Sequence, residues 1–171
     1  MDDAASAERR AATGDVAAFG ALVRQHQSSV RGFLRRLTKG NHALADDLAQ
    51  ETFLEAYRKI AQFQGQGSFL GWLHAIAWSR FLMENRKRKL EPLDEMDERV
   101  APSIDPAIKL DLEKAMALLR APERAALTLC FALGMPHEEA AHVMGVPLGT
   151  LKSHVARGRE KLKILLKDHA P

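Results

Sequence analysis

A single cysteine, Cys130, is all that the 171-residue chain carries, and no group of cysteines and histidines has the spacing of a structural zinc site. An internal disulfide is therefore excluded, and the pattern points to a reducing compartment, the cytoplasm, with no metal or other cofactor. Long apolar runs are missing too: no stretch approaches the ~20 residues that a membrane-spanning helix needs. The Met1-Asp2-Asp3 start lacks the basic-then-apolar order of an export signal, so neither export nor membrane insertion is expected. Asn-Gly and Asp-Gly hairpin turns and alternating β-branched runs are also absent, which argues against a β architecture. No Gly-rich phosphate loop, nucleophile elbow or pair of catalytic carboxylates can be argued, so no catalysis is expected. Charge is nearly balanced: 25 Lys and Arg against 22 Asp and Glu leave a net +3, so only the distribution of charge can inform on partners.

What is present is helical periodicity, in a chain 46% hydrophobic and therefore able to build packed cores. A first helix is predicted to start at Asp15, an N-cap, and to carry Val16, Phe19, Leu22, Val23, Val30, Phe33, Leu34 and Leu37 on one stripe until Lys39-Gly40. Asn41 caps a second helix to about Phe63, with Leu44, Leu48, Thr52, Ala56, Tyr57 and Ile60 inward. After the polar loop Gln64 to Ser68, Ser68 caps a third helix through Phe69, Trp72, Leu73, Ile76, Ala77, Phe81 and Leu82 into Arg86-Lys87-Arg88-Lys89. Phe69 and Trp72 are assigned to packing because aromatics on an apolar stripe are mostly buried, whereas Trp78 lies off that stripe.

Composition then changes. Between Glu91 and Pro106 stand six acidic residues, one base (Arg99) and three of the chain's seven prolines, the signature of an extended linker. Helical pattern resumes at Ala107, with Leu110, Leu112, Ala115, Leu118 and Leu119 on one face. Pro122 fits the first turn of a helix that passes Cys130, an inert buried thiol by this reading, and ends at Gly134. The fold class is accordingly all-α: a tail (1–14), a three-helix domain (15–90), an acidic linker (91–106) and a second small helical domain (107–171).

The segment from Pro136 to Ser153 has the grammar of a helix-turn-helix. Gly145 supplies a left-handed turn, Ala140 and Ala141 allow close crossing, and Val146 and Leu151 pin the two helices. The second helix would present Thr150, Lys152, Ser153, His154, Arg157, Arg159 and Lys161 outward, a basic surface suited to a major groove and its phosphates. His137 and His142 are read as structural, and Glu138-Glu139 as decoration of a helix start.

Three stretches in order, Asp46-Asp47-Leu48-Ala49-Gln50-Glu51-Thr52-Phe53-Leu54-Glu55-Ala56-Tyr57, the Ser-Phe-x-x-Trp-Leu pattern at Ser68 to Leu73, and Val146 to Ser153, closely resemble the extracytoplasmic-function sigma factors of bacterial RNA polymerase. The resemblance spans Asp15 to Leu166 and implies that the two domains are sigma regions 2 and 4. It implies as partners the polymerase core (beta-prime and beta subunits), promoter DNA and an anti-sigma factor. It places the beta-prime contact on Asp47, Gln50, Glu51 and Leu54, an acidic face with one exposed leucine that also includes Glu55 and Arg58 by helical spacing. Minus-ten DNA contacts fall on Gln64, Gln66, Ser68, Ser79, Arg80, Arg86, Lys87 and Arg88, and minus-thirty-five contacts on Thr150, Lys152, Ser153, His154, Arg157 and Arg159.

The chain also departs from the family. Trp78 stands where a basic residue is usual, Ser79 where Asn is, His154 where Arg is, and Gly158 where Ala is, the last at about 1 kcal/mol in a helix interior. Two other readings stay open on sequence alone: a dimeric helix-turn-helix regulator that works without polymerase, and a sigma mimic that only sequesters an anti-sigma factor.

Overall fold

The computed structural model describes residues 2–65, 67–90 and 112–167. Every element among them is helical. Helix α1 is Asp2–Ala12, within the segment expected as a tail, and lies against α2, Val16–Leu37. Then come α3, His42–Lys59, a 3₁₀ turn Ile60–Gln62, and α4, Phe69–Leu90. The second half comprises α5, Leu112–Ala117, α6, Ala121–Leu127, which runs on through a π-helical turn Thr128–Ala132, α7, His137–Met144, and α8, Leu148–Lys167. The expected linker, 91–106, lies outside the described residues.

Local chemistry places the helix ends where the sequence indicated. The Asp15 carboxylate accepts from the Ala18 amide at 3.0 Å and pairs with Arg10 at 2.6 Å, and both hold its carboxyl below its ordinary range. Asn41 Oδ1 accepts from the Leu44 amide at 3.1 Å, and Gly40, at φ 81°, makes the left-handed exit from α2. The first core is built by Leu22, Val30, Phe33, Leu34 and Leu37 of α2, Ala45, Leu48 and Ala56 of α3, and Leu73, Ala77 and Phe81 of α4. Thr52 is fully buried among them because its hydroxyl is satisfied by the Leu48 carbonyl at 2.7 Å.

Three expected placements change. Val16 occupies the first turn of α2, beyond the reach of the other helices, and is 65% exposed. Tyr57 is half exposed, its ring edge-on to Phe19 at 5.1 Å along the mouth of a cleft between α2 and α3. Trp78, by contrast, is buried and stacked on Phe81 at 5.7 Å. It stands two turns beyond Gly71, within about 20° of it around the helix, and at Gly71 this face meets α7.

The largest difference is that the two halves are packed together rather than held apart. Helix α2 lies against α5 and α6, and α4 against α7. Arg124, 2% exposed, donates to the carbonyls of Leu119 at 2.7 Å and of Leu37, the last residue of α2, at 2.9 Å. A cation is favoured at the negative end of a helix, and burial lowers Arg124 only to about 10, so it remains charged at neutral pH. Beside it, Arg36 of α2 reaches Glu113 of α5 at 3.5 Å. Two donors, Arg124 Nε and Trp78 Nε1, are buried with no acceptor among the described residues. Each such orphan costs about 1–3 kcal/mol, so this packing is under tension as well as tightly made.

Within the first half, His74 is fully buried, edge-on to Phe33 at 5.1 Å. Its Nδ1–H donates to the Leu70 carbonyl at 2.7 Å, leaving Nε2 to accept from the Ser29 hydroxyl at 3.4 Å. Burial holds His74 below its ordinary 6.5, and burial does the same to His26 on α2; Glu139 on α7 opposes the shift at His74 but does not reverse it. With the folded value depressed, the unfolded chain takes up the proton first, so stability is complete above about 6.5 and falls as pH drops through the folded value. The urea midpoint should therefore fall between pH 7.0 and 5.5, and less steeply in His74→Gln; equal slopes in the two proteins would refute this role.

Candidate nucleic-acid and protein interfaces

Asp47, Gln50, Glu51 and Leu54 recur at intervals of three and four along α3, which puts all four on its solvent face. Leu54 is 51% exposed. Asp47, Gln50 and Leu54 also line the cleft between α2 and α3, about 540 Å³, whose floor is Phe19, Val23 and Phe53. The neighbouring carboxylates are spoken for: Asp46 faces Arg31 and Arg35 at 3.9 and 3.8 Å, and Glu55 takes Lys59 at 2.7 Å, Arg80 at 2.8 Å and Arg58 at 3.6 Å. Glu55, expected on the open acidic face, is thus a neutralised anchor whose carboxyl is held low chiefly by Lys59. Asp47 and Glu51 have no ion-pair partner among the described residues, so they are the charges left for a partner.

The loop before α4 bends through Gly65 and Gly67, both left-handed at φ 71° and 75°. Phe63, Phe69 and Trp72 cluster behind it with ring centroids 5.3 to 5.5 Å apart, which fits the packing role expected of Phe69 and Trp72. Gln64 and Ser79 are exposed, while Gln66 lies outside the described residues. Ser68 Oγ accepts from the Gly71 amide at 2.9 Å, closing the start of α4, and its own hydroxyl donates to the Glu139 carboxylate of α7. Arg80 is held by Glu55 and Arg88 by Glu84 at 3.2 Å, leaving Arg86 and Lys87 as the exposed cations among the described side chains of this helix.

In the second half the helix-turn-helix has the expected form. Gly145 is left-handed at φ 64°, the Val146 amide closes back on the Ala141 carbonyl at 3.1 Å, and Ala140 and Leu151 are fully buried at the crossing. Lys152, Ser153 and Arg157 face solvent on the first turns of α8 and Thr150 is half-buried. His154, also half-buried, accepts from Arg157 at 3.2 Å. Burial, and then the nearby Arg157 charge, lower its pKa, so it serves as a neutral support that orients the guanidinium. Arg159 leans over the Phe131 ring at 5.7 Å, on the rim of an apolar groove with Leu112, Met116, Leu127 and Leu162. Lys161 is committed to the buried Glu123 at 2.8 Å.

Sequence reasoning missed Glu139 and Gly71. A Cβ at Gly71 would lie 2.5 Å from Glu139 Oε1, a close approach with no local sequence signal. Gly158, which sequence alone shows only as a weak helix residue, is explained here as well: a Cβ there would sit 2.8 Å from Leu127 Cδ1 and 3.2 Å from its Cγ, so glycine lets α8 cross α6 closely.

Comparison with known proteins agrees over both halves. The Sigma-70 region 2 family matches residues 22–91 and the Sigma-70, region 4 family residues 109–162. The chain is 39% identical to the ECF RNA polymerase sigma factor SigE of Mycolicibacterium smegmatis over 93% of its own length, spanning 66% of that relative. It is 37% identical to the ECF RNA polymerase sigma factor EcfG of Rhodopseudomonas palustris, covering 81% of this chain and 79% of that one. Among solved structures, the sigma factor RpoE of Bartonella quintana, in complex with the anti-sigma factor NepR, matches with a TM-score of 0.73 at 34% identity over 87% of this chain and 96% of that one.

Gly158→Val should destabilise the second half by about 1–3 kcal/mol, the usual range for overpacking a filled core. Chemical denaturation followed by circular dichroism checks this, and an unchanged midpoint would show that α6 yields without strain.

Proposed function

The chain belongs to the extracytoplasmic-function sigma factors of bacterial RNA polymerase, and we propose a division of labour among three of its surfaces. Sigma factors are non-enzymatic initiation factors, so each surface is a binding surface and the chain needs no catalytic group of its own. Asp47, Gln50, Glu51 and Leu54 form the contact with the beta-prime subunit of core polymerase. The unpaired state of Asp47 and Glu51 supports this, because charges without internal partners beside an exposed leucine suit a basic and partly apolar protein surface.

The Gln64 to Ser68 loop and the exposed side of α4 read the minus-ten element. Gln64, Gln66, Ser68 and Ser79 offer polar groups to unpaired bases, and Arg86 and Lys87 meet phosphates, joined by Arg80 and Arg88 once these leave their carboxylates. Helix α8 reads the minus-thirty-five element through Thr150, Lys152, Ser153 and Arg157, with His154 fixing the Arg157 fork and Arg159 at the edge of the contact. The observation that carries this reading is that one chain presents an acidic, leucine-bearing face on α3 and an open basic face on a helix-turn-helix.

Control by an anti-sigma factor completes the proposal. The match to a sigma factor solved in complex with its anti-sigma factor, over 87% of this chain at a TM-score of 0.73, supports this reading. We place the protein in the cytoplasm with its polymerase; no described helix is long and apolar enough to cross a membrane.

Run-off transcription with core enzyme and a randomised promoter library should give discrete start sites that depend on this chain. Failure to initiate on any template, with inhibitors absent, would leave a sequestering mimic or a polymerase-independent regulator in its place. Glu51→Arg should reduce affinity for core at least tenfold without altering the circular dichroism spectrum, and unaltered affinity would remove the beta-prime assignment. Replacing Lys152 and Arg157 with Ala should weaken promoter binding by the holoenzyme and lower its log–log salt slope by about 2, roughly 0.9 for each phosphate no longer neutralised; an unchanged slope would take α8 away from DNA.

A further inference from the structure

One hydrogen-bonding group of the surface assigned above to the minus-ten element is engaged from within the chain, although Gln64, Ser68 and Ser79 stay exposed. Ser68, at the entry to α4, spends its hydroxyl hydrogen on Glu139, the third residue of α7. The bare Cα of Gly71 lets that carboxylate come nearer than any side chain would allow, and Trp78 is buried farther along the same face of α4. Arg124 fastens the same two halves at another point, through the Leu37 carbonyl. Asp47, Gln50, Glu51 and Leu54 on α3 and Lys152, Ser153 and Arg157 on α8 are exposed as well, and among the described residues none of them bonds to the other half.

Resting on the minus-ten assignment above, we propose that the closed chain is autoinhibited by Glu139, whose carboxylate takes the hydrogen-bond position on the Ser68–Gly71 loop that single-stranded promoter DNA occupies in the open chain. Closure by α7 and capture of the unpaired minus-ten strand then compete for the Ser68 hydroxyl, while docking to polymerase and reading of the upstream element do not. The acceptor chemistry is the same on both sides of the exchange, since a carboxylate oxygen satisfies the Ser68 hydroxyl as a base carbonyl or a phosphate oxygen would. The closed state is also built to open. Trp78 Nε1 and Arg124 Nε are unsatisfied while the halves are packed, and water can reach both once they part. Affinity for the strand falls in proportion to the fraction of chain that is open, so the contact sets a threshold for strand capture.

The experiment uses the full chain with Cys130→Ser and with fluorophores on Gln25→Cys of α2 and Ala156→Cys of α8, both exposed positions, so that energy transfer reports the separation of the halves. A labelled 12-nucleotide single strand of randomised sequence reports strand binding by anisotropy. Glu139→Ala should lower energy transfer and tighten strand binding roughly tenfold, the factor that loss of one charge-assisted hydrogen bond produces; Gly71→Ala, whose Cβ displaces the carboxylate and also presses on the Ser68 hydroxyl, should lower energy transfer. Energy transfer unchanged in both variants would overturn the latch. Lower energy transfer with unchanged strand affinity in Glu139→Ala would overturn the competition, and would trace the failure to the minus-ten assignment instead of the closed packing. Strand binding tightened as much by Glu139→Gln, which keeps an acceptor oxygen, as by Glu139→Ala would mean that removal of a negative charge alone is responsible, which also overturns it.

Discussion

Arg124 is a charged group that closure removes from water, and the arrangement of the two halves depends on how its loss of solvation is repaid. Two carbonyls replace part of the lost water, one at the turn after α5 and the other at the last residue of α2. The second lies in the other half of the molecule, so the guanidinium fixes one half against the end of a helix in the other. Its Nε stays without an acceptor among the described residues, which makes the joint specific in geometry but moderate in strength. A purely apolar seam would have been harder to open and less exact about where the halves meet.

That constraint explains which groups of the three surfaces are engaged within the chain. Bringing α6 to the end of α2 carries α7 along α4, and Ser68, in the loop proposed to read the minus-ten element, is met by Glu139. Helix α8 crosses α6 closely because Gly158 has no side chain, and Lys152, Ser153 and Arg157 on its outward face stay in solvent. The outer face of α3 is untouched, and the internal pairing of Asp46 and Glu55 leaves Asp47 and Glu51 as its available charges. One packing event thus engages the Ser68 hydroxyl from the other half and leaves the side chains of the other two surfaces free of such a bond.

The departures from the family pattern acquire physical reasons in the same frame. Trp78, in place of a basic residue, provides a large apolar surface where a cation would have to be desolvated. His154, half-buried and with its pKa lowered by burial and by the Arg157 charge, accepts from Arg157 and fixes the direction of that fork. Gly158 gives up helix propensity for a close crossing with α6.

The sequence by itself determined the local architecture. Asp15, Asn41, Ser68 and Gly145 fix helix ends through contacts within a few residues, and the apolar periodicity fixes which face of each long helix is buried. The acidic α3 face, the helix-turn-helix and the family were legible for the same reason, because each is written in a short stretch of chain. Tertiary structure alone decided that the halves close on each other, that Glu139 reaches Ser68 across 71 positions, and that Arg124 reaches Leu37 across 87. It also decided that Tyr57 faces outward, that Trp78 faces inward, and that Glu55 is neutralised from α4 as well as from its own helix. Periodicity states that a helix has an apolar face; which partner that face meets, and which polar groups are desolvated in the meeting, depends on the packing of distant segments.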